Sequence, residues 1–75
     1  MSLKKELAKE IHILEEEIKE LEVKRSRSQA ALIEALISRE QPNEEEMQFF
    51  RTFTADIDVK RERMLSLMSQ LEKIV

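Results

Sequence analysis

The chain has 75 residues, with 13 basic and 16 acidic side chains, one proline, no glycine and no cysteine. The lack of cysteine excludes disulfides, thiolate metal sites and thiol redox chemistry, and is typical of a reducing compartment. A net charge of −3 argues against a protein dominated by binding to nucleic acid or to an anionic membrane. We therefore expect a soluble, cytoplasmic protein that does not contact a membrane.

Charged residues make up 39% of the chain and apolar residues 41%, which is the composition of long helices and coiled coils. A chain of this length forms one domain at most, with a core of marginal size. We predict a single all-α domain over residues 1–75, folded as an antiparallel helical hairpin. Because disulfides are excluded, oligomerisation or a partner protein is the expected source of additional stability.

The first predicted helix covers about residues 3–39 and carries a narrow apolar seam. Apolar residues recur in alternating steps of four and three, which is the heptad pattern of a coiled coil. The seam residues are Leu7, Ile11, Leu14, Ile18, Leu21, Arg25, Ser28, Leu32 and Ala35. Two polar residues, Arg25 and Ser28, interrupt it. Toward the turn the apolar face widens, so we expect that end of the helix to be its most buried part.

The predicted turn covers residues 40–43. Pro42 cannot donate a backbone hydrogen bond and disfavours helical geometry at the residue before it. Asn43 is placed to cap the second helix by accepting from the amide of Glu45 or Glu46. The chain has no glycine, so we do not expect a left-handed glycine cap at the end of the first helix.

The second predicted helix covers about residues 44–74 and carries an apolar stripe wider than one neighbouring helix can cover. We call this the helix 2 stripe: Phe50, Phe53, Ile57, Met64, Leu67, Met68 and Leu71. A stripe rich in methionine and leucine can be an adaptable docking surface. The alternative is that it is the core of the protein.

Two predictions concern how the helices pair. With the turn near residue 42, paired residue numbers should sum to roughly 84, which places Arg25 opposite Asp58. A polar pair inside an apolar seam can fix the register of two helices. Because two helices leave part of each stripe in water, we also predict that two hairpins form a homodimeric four-helix bundle.

Six basic residues lie at similar heights on the two predicted helices, and we call them the basic belt. Its members are Lys24, Arg25, Arg27, Lys60, Arg61 and Arg63. Such a belt suits a phosphate backbone, and its affinity would fall steeply with salt. The alternative is mutual pairing with the acidic residues interleaved among them, which is common on helix faces.

The sequence contains no pattern that indicates catalysis. It lacks phosphate-binding and nucleophile motifs, and its one histidine, His12, has no partners in a metal-binding arrangement. We predict no catalytic residue, metal, cofactor or small-molecule substrate. The hairpin outline resembles small RNA regulators of the Rop type. Its size and cysteine-free composition are similar to those of short helical-hairpin chaperones of bacterial secretion machinery.

The expected function is therefore protein–protein interaction, as a homodimer, an adaptor or a chaperone-like subunit. The expected partner is a second copy or another helical protein. A nucleic-acid-binding regulator that uses the basic belt is the alternative.

Overall fold

The computed structural model describes residues 2–74; Met1 and Val75, the two ends of the predicted domain, lie outside the described residues. Helix α1 covers Leu3–Ile37 and helix α2 covers Glu44–Ile74. The two helices pack against each other along a rod of 56 × 16 × 14 Å. The predicted all-α helical hairpin is confirmed. Helix α1 ends two residues before the predicted boundary.

The core of the hairpin is one line of side chains along each helix. Four apolar residues are buried: Leu7, Ile18, Ile57 and Leu67. The rest of the predicted seam of α1 is half-buried, apart from Ser28, which is buried. The heptad spacing therefore identified the face of α1 that packs on α2, because only positions repeating every 3.5 residues stay in contact with a second helix.

The prediction that α1 is most buried near the turn is wrong for the described hairpin. Leu36 and Ile37 are 67% and 77% exposed, and Ile33 is also exposed. These residues flank the seam or lie on the far side of the helix from it. A single neighbouring helix covers only a narrow strip, so the wider apolar face is left in solvent.

The register of the two helices differs from the predicted one. The three interhelix ion pairs join Glu10 to Arg63, Glu17 to Lys60 and Glu22 to Arg61. Their residue numbers sum to 73, 77 and 83, which centres the pairing near 78 rather than 84. When paired residue numbers sum to 78, the seam positions of α1 face seam positions of α2, because both seams repeat with the heptad.

Burial at the open end of the hairpin supports the same register. Leu7 is buried, and a sum of 78 places it opposite Leu71, which is half-buried. A register shifted by one heptad, with a sum of 85, would leave Leu7 beyond the end of α2. Any overhang of α1 beyond the end of α2 is therefore limited to residues before Leu7.

The predicted pairing of Arg25 with Asp58 is wrong. Arg25 is half-buried in the seam and Asp58 is exposed, and neither forms an ion pair within residues 2–74. At the observed register Arg25 lies level with Phe53, and buried Ser28 lies level with Phe50. A small side chain facing a large one fills the layer without widening the gap between the helices.

The start of α2 is capped as predicted. The Oδ1 atom of Asn43 accepts hydrogen bonds from the amides of Glu45 at 2.8 Å and Glu46 at 3.4 Å. Three glutamates fill the first turn of α2, where the helix dipole and the free amides favour negative charge. Pro42 and Met47 are both half-buried on either side of this cap.

The end of α1 has a left-handed cap that the sequence was not expected to form. Arg39 has a φ of 57°. Its amide donates to the carbonyl of Leu36 at 3.2 Å, and the amide of Glu40 donates to the carbonyl of Ala35 at 2.9 Å. This pair of bonds is a Schellman motif, usually closed by glycine. Here an exposed arginine occupies the left-handed position, at a cost of about 1–2 kcal/mol.

Replacing Arg39 with glycine should stabilise the hairpin by roughly 0.5–1 kcal/mol. Glycine removes the left-handed strain, although its greater freedom in the unfolded chain offsets part of the gain. Thermal unfolding followed by circular dichroism at fixed concentration should show a rise of about 2–8 °C for a chain of this size. Arg39→Ala is the matched control, because it removes the side chain and keeps the strain. An equal rise in both variants would contradict the assignment.

Candidate interaction surfaces

The helix 2 stripe lies mainly inside the hairpin. Ile57 is 0% and Leu67 3% exposed, and four further members are half-buried: Phe50, Phe53, Met64 and Leu71. Met68 is exposed. The structure therefore brings the stripe together with the seam of α1, and this placement favours the core interpretation over an open docking surface.

Phe53 also contacts an aromatic residue outside the predicted stripe. The rings of Phe49 and Phe53 stack with their centroids 6.2 Å apart. Phe49 is partly exposed at the edge of the hairpin, beside the half-buried Phe53. This pair extends the apolar surface of α2 from the seam to one side of the rod near the turn.

An apolar surface left open by the fold lies on the back of α1, away from α2. Its residues repeat in steps of three and four, and we call them the outer seam: Val23, Ser26, Ala30, Ile33 and Ile37. All five are exposed. The spacing of these residues is that of a second heptad seam, so this surface could have been predicted from the sequence. It was missed because the first seam of α1 has the more regular apolar pattern.

The middle of the outer seam carries small side chains. A shallow, open groove there is lined by Lys19, Glu22, Val23, Ser26, Arg27 and Ala30. Ile33 and Ile37 follow one and two turns later as protruding apolar side chains. A groove next to a ridge is the surface that another helix packs against.

Most of the basic belt is paired with carboxylates. Across the hairpin, Nζ of Lys60 donates to Glu17 at 2.7 Å, Arg63 donates to Glu10 at 3.0 Å, and Arg61 pairs with Glu22. Lys24 lies 3.5 Å from Glu20, one turn earlier on α1. Arg25 is half-buried in the seam. At the observed register the six cations do not lie at one height, because Lys60 is level with Ile18, about 9 Å along the rod from Lys24. Most of their charge is neutralised by the carboxylates.

The ion pair of Lys60 is the most enclosed of these contacts. Lys60 occupies a seam position, and its hydrogen bond to Glu17 raises the pKa of the ammonium group above its ordinary value of 10.5, against the opposing effect of burial. A raised lysine pKa means that the ammonium group of Lys60 keeps its positive charge throughout the neutral range and loses it only in strongly alkaline solution.

The side chains that could ligate a metal ion are dispersed along residues 2–74. No group of three or more potential ligand side chains is gathered within those residues. His12 is exposed on the outer side of α1. In the same part of the chain every buried side-chain polar atom has a hydrogen-bond partner. Neither helix is long and apolar enough to cross a membrane.

Comparisons with protein-family models, with curated proteins and with solved structures find no match to this chain.

Proposed function

We propose that this chain is a non-enzymatic protein that acts by binding another helical surface through the back of α1. The observation that supports the proposal is the outer seam, which presents Val23, Ile33 and Ile37 at 53%, 47% and 77% exposure on one side of a single helix. Scattered exposed apolar residues need no explanation, but a contiguous line at heptad spacing is typical of a helix that packs against a second partner.

The size of the core supports the same conclusion. Within residues 2–74 only four apolar side chains are buried between the helices, and a two-helix core of this size gives marginal stability. A partner that binds the folded hairpin and not the unfolded chain stabilises it by mass action. Covering the outer seam would add apolar burial at about 25 cal/mol per Å² without changing the hairpin itself.

This function includes the predicted homodimer, adaptor and chaperone-like subunit, including a subunit of a bacterial secretion system, because all three need an uncovered helical surface. The pairing of four of the six belt cations with carboxylates favours a protein partner over nucleic acid. A phosphate backbone would have to compete with those carboxylates for each cation, and an exposed belt of this kind loses affinity as salt increases.

Two measurements test the proposal. Light scattering on a sizing column over a dilution series should show a mass that rises from one chain toward two. In parallel, a photoreactive side chain at Ile33 should cross-link to a protein, and the same group at Ser69, exposed on the outer side of α2, should not. A chain that is monomeric at every concentration and gives the same labelling from both positions would contradict the proposal.

A further inference from the structure

We propose that the outer seam of α1 binds the outer seam of a second copy of this chain, with the two α1 helices antiparallel about a two-fold axis near Ala30. This inference rests on the proposed function and names its partner and its geometry. The resulting dimer places α1 against α1 in the middle and the two α2 helices on the outside. It differs from the predicted bundle, in which the stripes of both helices face each other.

The shapes along the outer seam select this orientation. Ser26 and Ala30 are small, whereas Ile33 and Ile37 are large and come later in the chain. Antiparallel packing places Ser26 opposite Ile37 of the second copy and Ala30 opposite Ile33 of the second copy. Both layers have the same residue sum, as heptad seams require. Parallel packing would place small beside small and large beside large, leaving a gap in one half and crowding the other.

The charges beside the outer seam select the same orientation. Arg27 and Glu34 are exposed, lie seven residues apart on one edge of the seam, and form no ion pair within residues 2–74. Antiparallel packing brings Arg27 next to Glu34 of the second copy, and symmetry repeats the pair. In parallel packing this edge of one copy faces the other edge of the second copy, so Arg27 and Glu34 would not meet. Charge complementarity therefore specifies this chain as its own partner.

The extent of the contact sets the expected affinity. With the paired residues given above, the contact runs from Ser26 to Ile37, which is about three helical turns or roughly 17 Å at 1.5 Å per residue. That is a small interface, at the low end for specific complexes, and such interfaces form reversible rather than permanent assemblies. We expect a dimer that dissociates on dilution through the micromolar range, while each hairpin stays folded.

The first test places a charge at the two-fold axis. Ala30→Glu brings two carboxylates together in the dimer and should weaken dimerisation by at least roughly tenfold. The matched control is Ala55→Glu, the same substitution at an exposed alanine on the outer side of α2. Sedimentation equilibrium should show dimers for the wild type and for Ala55→Glu, and monomers for Ala30→Glu at the same concentration. Circular dichroism checks that both variants remain helical.

The second test exchanges the two edge charges. Arg27→Glu and Glu34→Arg should each weaken the dimer, because each creates two like-charge contacts. The double variant restores opposite charges and should return toward wild-type affinity. In a parallel dimer the double variant would gain nothing. This pattern of loss and rescue tests the orientation of the helices, which a loss of affinity alone does not.

Two results would overturn the inference and leave the proposed function in place. One is a dimer whose affinity is unchanged by Ala30→Glu and by the charge exchange, because self-association would then use another face. The other is a monomer at every concentration that still gives cross-linking specific to Ile33, because the outer seam would then bind a different protein. A wild-type dimer lost with Ala30→Glu, retained with Ala55→Glu and rescued by the double exchange supports it.

Discussion

Replacing Ile57 with alanine should lower the free energy of unfolding by about 3 kcal/mol, the typical cost of truncating a fully buried isoleucine. Ile57 is the one side chain in residues 2–74 that is both large and completely buried. At the observed register it lies level with Leu21, in the middle of the rod. Because the two helices have no third layer to collapse onto the space, most of the lost contacts would not be replaced.

That loss is large for a chain of this length. Natural domains have about 0.05–0.15 kcal/mol of stability per residue, which is roughly 4–11 kcal/mol for a hairpin of this size. Urea unfolding followed by circular dichroism at one fixed chain concentration gives the change without a contribution from self-association. We expect the midpoint to fall by about a quarter or more, with the slope unchanged.

Val59→Ala is the matched control for this prediction. Val59 lies two residues away on the exposed side of the same helix, 66% exposed. The Val59→Ala variant gains the same small amount of helix propensity, because alanine replaces a β-branched residue, but it loses no buried side chain. Its effect should stay within about 0.5 kcal/mol. Equal effects at the two positions would show that the seam of α2 is not the core.

The second prediction concerns the register, and its expected result is a disulfide in one double-cysteine variant and not in another. Leu14→Cys with Met64→Cys joins two seam positions whose numbers sum to 78. Leu14→Cys with Leu71→Cys joins the positions that would meet if the helices shifted by one heptad, or about 10 Å. A disulfide requires its two Cα atoms within about 7 Å. Each of the two disulfides can therefore form in only one of the two registers.

Because the natural chain has no cysteine, the readout is direct. Oxidation at low concentration, followed by thiol counting and mass measurement of the monomer, should give roughly tenfold more disulfide in the first variant. Similar yields in both would show that the two registers coexist.

Polar seam residues explain why the shifted register is excluded. With a sum of 85, Arg25 would lie opposite Lys60, which puts two cations in one layer of the core. In the observed register Lys60 is instead level with Ile18 and reaches Glu17. Polar residues in a seam commonly select one pairing over another at some cost in stability. Adding Arg25→Leu and Lys60→Leu to the second cysteine variant should therefore increase its disulfide yield, since the like-charge layer is gone.

The parts of the fold that the sequence predicted are those set by local chemistry. The first seam, the Asn43 cap and the start of α2 follow from residue spacing and from one side chain meeting its neighbouring amides. The ends of the helices were predicted within two residues for the same reason.

The register and the left-handed cap after α1 were not predicted, because they depend on competition between alternatives of similar energy. The turn position alone allowed two registers that differ by one heptad, and the choice depends on Arg25 and Lys60. The cap at Arg39 was missed because glycine is the usual residue with positive φ, and two backbone hydrogen bonds compensate for its absence. The candidate site was missed in part, since the outer seam of α1 overlaps the widened face that suggested burial.

The constant sum of paired residue numbers also determines the order in which the hairpin can fold. Every layer closes a loop centred on the turn, so layers form progressively outward from it. Contact between Ser28 and Phe50 closes a loop of about 22 residues, but this layer contains a hydroxyl group. Contact between Leu21 and Ile57 closes a loop of about 36 residues, and this layer is entirely apolar. The longer loop costs only about 0.4 kcal/mol more entropy. Folding should therefore become favourable only when the helices pair in the middle of the rod. The turn forms before that step and is stabilised only after it.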